Sequence, residues 1–358
     1  MRRHRIAAIG GDGIGPEVVA AGLQVLEATA GVDGGFAFDV TSFDWGSDYY
    51  RRTGKMMPDD GLARLAPFDA IFFGAVGDRE IPDHITLWEL RLAICQGFDQ
   101  YANVRPTRLL PGIVGPLKDE LGRGIDWVIV RENSEGEYAG VGGRAHRGLP
   151  LEVGMDVAVF TRAGVERIAR FACDLAMTRP RRKLTVVTKS NAQRHGLVLW
   201  DEVCAGVTAQ YPDLEVDKML VDAMAARMVV KPGSVDTVLA TNLHADILSD
   251  LASACAGSLG IGATANLDPS RRNPSMFEPI HGSAFDIVGK GVANPLGSFW
   301  TGAMMLDHLG EPAAAQRLMA AVASVTAKGE ALTPDLGGRA TTEQTTQAVI
   351  AALQGTNA

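Results

Sequence analysis

Two carboxylates stand four residues apart in the stretch Thr241-Asn-Leu-His-Ala-Asp246-Ile-Leu-Ser-Asp250-Leu, directly after an apolar run at 235–240. On a helix, side chains at that spacing share one face, about 5–6 Å apart at Cβ. The same periodicity sends Leu243, Ile247 and Leu251 to the opposite face, which is expected to be core. Like charges so placed repel, and a hard divalent cation with oxygen ligands would convert the repulsion into coordination. A solvated acidic face is the competing account. Position weighs for the cation, because open α/β sheets hold ligands at the carboxyl ends of their strands.

Arg91 in Leu-Trp-Glu-Leu-Arg, Arg105 in Tyr-Ala-Asn-Val-Arg-Pro and Arg131 after the run at 127–130 add a second kind of chemistry. Guanidinium groups are costly to bury unpaired and match carboxylates bidentately, so a dicarboxylic acid is one natural partner. Structural ion pairs with Glu89, Asp99 or Glu132 would serve equally well. Lys189 ends the apolar run of Leu184-Thr-Val-Val-Thr-Lys-Ser-Asn191, where a lysine can reach a ligand crevice or simply sit on the surface. Tyr138, set among glycines after Arg131-Glu-Asn-Ser-Glu-Gly-Glu, either faces a ligand or covers a loop. Helix capping accounts for Asp222, which lies between an alternating run at 214–221 and the helix-like Ala-Met-Ala-Ala.

These residues need elements to position them. Strand-like runs at 5–9, 36–40, 70–73, 127–130, 156–160, 184–187, 214–221 and 237–240 alternate with helical patterns at 16–30, 162–177, 193–210, 245–254, 297–309 and 343–353. That alternation predicts an α/β fold with a largely parallel core sheet. The Gly-rich, basic segment 135–150 is too long for a turn and reads as a loop or an arm projecting toward a partner subunit. Residues 257–295 show little periodicity, as a binding loop laid over a scaffold would. The N-terminal Gly10-Gly-Asp-Gly-Ile-Gly-Pro-Glu17 follows a strand, yet Pro16 and Val18 stand where a Rossmann phosphate loop needs glycine, and a tight strand-to-helix turn is enough to account for the glycines.

Bulk composition narrows the function. A chain of 358 residues, 46% hydrophobic, can bury two ordinary lobes with a cleft between them. Asp and Glu number 42 against 34 Lys and Arg, which leaves no basic field for nucleic acid. The four cysteines are widely spaced, suggesting neither a zinc site nor a disulfide framework, and a reducing cytoplasm is expected. The apolar stretch 6–9 is shorter than the ~7–15 residues of a signal-peptide core. Nor does any apolar run approach the ~20 residues of a membrane span.

Six separated motifs occur in one order: Gly10-Gly-Asp-Gly-Ile-Gly-Pro-Glu17, Tyr101-Ala-Asn-Val-Arg-Pro106, Arg131-Glu132, Thr188-Lys-Ser-Asn191, Asp246-Ile-Leu-Ser-Asp250, and the run from Glu278-Pro-Ile-His-Gly-Ser to Val-Ala-Asn-Pro295. In that series the whole chain resembles the β-decarboxylating dehydrogenases, the family of isocitrate, isopropylmalate, D-malate and tartrate dehydrogenases. The resemblance implies a two-lobed, non-Rossmann α/β fold of mixed β-sheets flanked by helices, with a projecting dimer arm. Residues 1–105 plus 257–358 would form the cofactor lobe and 106–256 the metal, substrate and dimerisation lobe.

By the same resemblance, Mg²⁺ or Mn²⁺ is held by Asp246 and Asp250, with Asp222 and the base Lys189 coming from the second subunit of a homodimer. Arg91, Arg105 and Arg131 clamp the substrate carboxylates, and Tyr138 protonates the enol carbon. Gly74 and Ala75 lie near the nicotinamide, while His281 and Asn294 frame the adenine, with Asn191 and Gly282 also on the cofactor side. Asp286 can accept hydrogen bonds from the adenosine ribose hydroxyls and would repel a 2′-phosphate, which favours NAD. A monovalent K⁺ is compatible with this set. Before the first clamp arginine this chain has Pro82-Asp-His84-Ile-Thr-Leu-Trp88, with a bulky Trp88 and a polar His84 in place of a small aliphatic pocket, and 92–100 resembles an insertion of the tartrate and D-malate branch. The expected activity is therefore oxidation of tartrate to oxaloglycolate, or of D-malate to pyruvate and CO₂, with His84 binding a second hydroxyl. A 3-isopropylmalate dehydrogenase and a catalytically silent regulatory homologue are the alternatives.

Overall fold

The computed structural model describes residues 1–118 and 124–355. β1 (Arg2–Gly11) forms around Ile6, Ala7, Ala8 and Ile9, all buried. Such an unbroken apolar run marks a strand covered on both faces, as parallel strands are. It pairs in parallel with β2 (Phe36–Phe43) and β3 (Ala70–Ala75). The chain then adds β4 (Ala102–Arg108), β5 (Asp126–Glu132), β6 (Gly136–Ala145), β7 (Val153–Val159), β8 (Lys183–Thr188), β9 (Glu215–Leu220), β10 (Thr237–Ala240), β11 (Ala263–Leu267) and β12 (Ser275–Pro279).

Among the described residues the main sheet has ten strands, ordered β2-β1-β3-β12-β11-β4-β5-β10-β8-β9. Its pairings are parallel toward both edges. In the middle, β12 with β11, β11 with β4 and β4 with β5 run antiparallel. The parallel expectation thus holds for the flanks, and the sheet as a whole is mixed. Residues 257–295, expected as a loop, carry β11 and β12.

Helices cover both faces. Gly15–Asp33 packs on β1 and stops at Gly34, whose left-handed φ of 74° suits glycine. One apolar cluster gathers Val25, Phe36, Phe72, Phe277, Phe299, Leu318 and Leu353, from sequence positions near both termini. Two others, around Trp200 and around Trp127, draw on residues 102–256. Each large side chain fully buried in such a cluster contributes about 1.5–3 kcal/mol relative to exposure. Of the lobes expected from sequence, residues 119–123 and 356–358 lie outside the described residues.

Segment 135–150 is neither turn nor loose loop: β6 and β7 form an antiparallel hairpin apart from the main sheet, with a register shift between Gly136 and Val141. Val141, Leu151, Val153, Met155 and Val157 on it are exposed. The N-terminal glycines do serve the turn. Gly13 has φ +59°, and a Cβ there would lie 2.0 Å from the carbonyl oxygen of Ser283. Asp12 fastens the turn by accepting from Ser47 N (2.6 Å), Ser47 Oγ (2.8 Å) and Gly77 N (2.9 Å), while burial pushes its carboxyl up from the ordinary value.

Candidate active site

The antiparallel centre of the sheet lays the floor of a cavity of about 210 Å³. Asn266 of β11 stands opposite Asn103 of β4, and Asn103 opposite Arg131 of β5. Opposed residues of antiparallel strands share a face, and so do residues two apart on one strand. Asn266, Asn103, Arg105 and Arg131 therefore make one polar patch. Both arginines are buried, with 6% and 3% of their surface exposed.

Helix Asn242–Cys255 follows β10 and brings carboxylates over that patch. Arg105 donates from Nε to Asn103 Oδ1 (2.9 Å) and from Nη1 to Ser249 Oγ (2.6 Å) and Asp246 Oδ1 (3.1 Å). Arg131 donates from Nε to Asn242 Oδ1 (2.8 Å) and from Nη1 to the same Asp246 oxygen. Two buried cations thus share one carboxylate oxygen. Burial, and next the neighbouring Arg131, pulls the Arg105 guanidinium down to about 10. Burial works to raise the Asp246 carboxyl, but Arg131, Arg105 and Arg91 hold it below its usual value. Asp250, one turn on, is pushed up by burial and by Asp246.

One part of the helix differs from the pattern expected. Ile247 is 58% exposed, and the packed face is instead Ala245, Leu248, Ala252 and Cys255. Both carboxylates line the cavity, and of the apolar row expected as core Ile247 faces out while Leu243 and Leu251 are half-buried, Leu251 packing against the cluster around Trp127.

Arg91 joins the cavity lining from a π-helical turn, Leu87–Leu92. Glu278 of β12 accepts from its Nε (2.8 Å) and lies 2.6 Å from its Nη2. Burial works against the charge on Arg91, yet Glu278 more than offsets it, and the guanidinium is held above its ordinary value. Removing one member of a pair buried this deeply leaves an uncompensated charge, at a cost of about 3–5 kcal/mol. Glu278 was not singled out from sequence, although it opens the motif Glu278-Pro-Ile-His-Gly; among Glu89, Asp99 and Glu132 there is no counterpart to it. Asp99 pairs with Arg167, and Glu132 accepts from the Ser134 and Glu135 backbone amides. The wider π turn sets Leu87 in the cavity wall with Arg91. Trp88, expected to fill the pocket, lies instead against Gly140 of the hairpin.

Tyr138 lines the cavity, its ring centroid 5.4 Å from the Arg131 guanidinium carbon. Gly74, Ala75, His281 and Gly282 line it too. The His281 Nδ1 lies 3.1 Å from Gly282 O, and its Nε2 has no partner among the described residues. Burial lowers its pKa. Asn294 is buried and engaged within the chain, donating to Asp335 Oδ2 (2.8 Å) and accepting from Leu296 N (3.0 Å) at the start of helix Leu296–His308. Asp286 and Asn191 are exposed.

Asn191, Asp286 and Asn294 do not line this cavity, and neither do three further expected site residues, His84, Lys189 and Asp222. His84 is exposed on the short helix Asp83–Thr86. Lys189 and Asp222 pair with each other at the tips of β8 and β9, Nζ to Oδ1 at 2.6 Å. That pair, led by the Lys189 hydrogen bond, lowers the Asp222 pKa. Among the described residues no group of three or more His, Cys, Asp or Glu is placed to hold a metal ion. Asp246 and Asp250 are hard oxygen donors of the type a divalent cation takes, but within one chain they are an incomplete ligand set.

Comparison with known proteins agrees with this construction. The family model described as isocitrate/isopropylmalate dehydrogenase matches residues 5–352. A protein of Agrobacterium vitis named "Probable tartrate dehydrogenase/decarboxylase TtuC'" is 67% identical over 357 residues, covering 100% of this chain and 99% of that protein. The decarboxylating D-malate dehydrogenase of Escherichia coli (strain K12) is 48% identical, covering 98% of each. The tartrate dehydrogenase/decarboxylase of Pseudomonas putida is 46% identical, covering 96% of each. The crystal structure of isocitrate dehydrogenase from Methylococcus capsulatus superposes with a TM-score of 0.88 at 36% identity, covering 98% of this chain and 99% of that one. Fold, motif order and arginine-lined cavity together have one reading: the chain belongs to the isocitrate/isopropylmalate dehydrogenase family.

Proposed function

We propose that this protein is an NAD-dependent, divalent-metal-dependent dehydrogenase that oxidises tartrate or D-malate, with or without loss of CO₂. The observation that carries the reading is the sharing of one Asp246 oxygen by Arg105 and Arg131, with Arg91 lining the same cavity. Donor groups there outnumber the acceptors that meet them, as a site awaiting a dicarboxylate would have it. The similarity to relatives named for tartrate and D-malate supports the choice of acid.

Arg91, Arg105 and Arg131 would bind and orient the two carboxylates. Asp246 and Asp250, with Asp222 of a second copy of the chain, would hold a divalent cation, which would supply Lewis-acid polarisation of the substrate. NAD supplies the hydride acceptor. Lys189, brought with Asp222 by the second copy, would take the proton from the substrate hydroxyl, and Tyr138 would deliver one to the carbon that has lost its carboxylate. For the nucleotide, Gly74, Ala75, His281 and Gly282 offer a wall in the cavity. The unpartnered His281 Nε2 suits an adenine edge. Asp286 would accept from the ribose hydroxyls, and Asn294 and Asn191 would complete the cofactor side.

A substrate panel tests the proposal. Purified protein with NAD⁺ and Mn²⁺ is expected to oxidise D-malate or L-tartrate in preference to 3-isopropylmalate, with mass spectrometry identifying pyruvate or the oxo acid. A strong preference for the branched acid would overturn the substrate assignment. Oxidation of none of the three would favour a silent subunit.

A further inference from the structure

We propose that Asn266 and Asn103 are positioning residues that fix the gap between Arg91 and Arg105, and so select the length of the dicarboxylic acid; this rests on the dehydrogenase reading above. Asn266 and Asn103 are fully buried, and neither lines the cavity wall. Asn266 Nδ2 lies 2.8 Å from Glu278 Oε1, and a carboxylate oxygen only accepts, so the amide can face only one way. Its Oδ1 then receives Asn103 Nδ2 (2.6 Å), Asn133 Nδ2 (3.1 Å) and, at the long limit, Arg91 Nη2 (3.4 Å). Asn103 passes the link on by accepting from Arg105 Nε at 2.9 Å.

The line Arg105–Asn103–Asn266–Glu278, with Arg91 attached at both Asn266 and Glu278, therefore has a single donor-to-acceptor direction. No amide in it can flip without leaving buried groups unpaired. Both amides are spent on these links: replacing either one strips buried Arg105, Asn133 or Glu278 of a partner, a cost that falls on the clamp itself. What the amides add is a rigid strut between arginines that reach the cavity from different elements, β4 and the π-helical turn. A clamp set at a fixed separation binds one spacing of carboxylates well and its neighbours poorly, because misplaced charge-assisted bonds weaken steeply with distance.

Asn266→Ser and Asn103→Ser cut the strut from its two ends. Kinetics with NAD⁺ and Mn²⁺ would be measured on hydroxy diacids of three, four and five carbons, beside melting curves for each variant. For the four-carbon acid, KM is expected to rise about tenfold or more, which corresponds to about 1.4 kcal/mol. The change in kcat should stay within roughly threefold, since the loss is in binding rather than in the reacting groups. KM for NAD⁺ should not move, and the preference for four over five carbons should shrink. A folded variant with wild-type KM and wild-type length preference overturns the inference, as does a lowered Tm with both unchanged. Should the wild type oxidise none of the acids, the substrate reading fails separately. The strut is then read by calorimetry with malonate, succinate and glutarate, where equal length preference in wild type and variants overturns it.

Discussion

Asp246 Oδ1 and the two guanidinium groups it serves set the electrostatic character of the cavity. The Arg105 guanidinium is drawn down to about 10 by burial and by Arg131. Arg105→Lys tests what that means. A lysine starts about two units lower than arginine and lacks the planar fork, so in these surroundings part of it would be neutral. KM for the diacid is expected to rise at least about tenfold at pH 7, and the deficit to widen as pH climbs toward 9, because raising pH removes the lysine's proton and with it the carboxylate's counter-charge. A deficit that stays flat with pH would show that lost geometry alone is responsible. At this scale much was legible in the sequence: the i,i+4 aspartates and the arginines carried their chemistry in residue type and spacing. Glu278 was not legible, because its partner Arg91 lies 187 positions away on a π-helical turn and only the tertiary fold brings the two together. The separate Lys189–Asp222 pair was equally invisible, since side-chain pairing between neighbouring strand tips leaves no mark on local periodicity.

Among elements, the first strand is held at its outer end by a cluster the motifs do not contain. Arg2 donates to Glu311 from Nε (2.7 Å) and Nη2 (2.6 Å), and His4 Nε2 lies 2.9 Å from Glu311 Oε1. Burial works to raise the Glu311 carboxyl, but these partners more than offset it and hold the pKa below the usual value. A carboxyl depressed in the fold stabilises it above the unfolded value of about 4.3, and that contribution is lost as pH falls through the folded value. Glu311→Gln is expected to lower Tm at pH 7 by a few degrees, with the gap to wild type closing below about pH 4. A gap that persists in acid would mean packing, not charge, is what Glu311 supplies. The strands read from sequence were those with unbroken or alternating apolar runs, such as β1, β8 and β10. The central β4, β11 and β12 escaped because each carries polar residues on the cavity face, Asn103 and Arg105, Thr264 and Asn266, and Glu278, which break the hydrophobic pattern where the chemistry is done.

For the molecule as a whole, the exposed apolar residues of the β6–β7 hairpin and the absence of Lys189 from the lining of the aspartate-bearing cavity bear on assembly. If the base and the metal ligands meet only across a dimer, two inactive variants should rescue each other. Lys189→Ala and Asp246→Asn are each expected to be inactive alone, and refolding them together should return part of the wild-type turnover, because one composite site in each mixed dimer would be intact. No recovery, with mixed dimers demonstrated by native mass spectrometry, would place both groups in one chain's site. No helix among the described residues is long and apolar enough to cross a membrane.

The main-chain ladder runs without a gap from β2 at one edge to β9 at the other, with its antiparallel strands beneath the cavity. Any narrowing of the cleft over a ligand must therefore be taken up as extra twist in bonded strands rather than as a swing about a slack joint. A cleft that narrows over a ligand would thus coil β4 and β11 further, and product release would let that added twist relax.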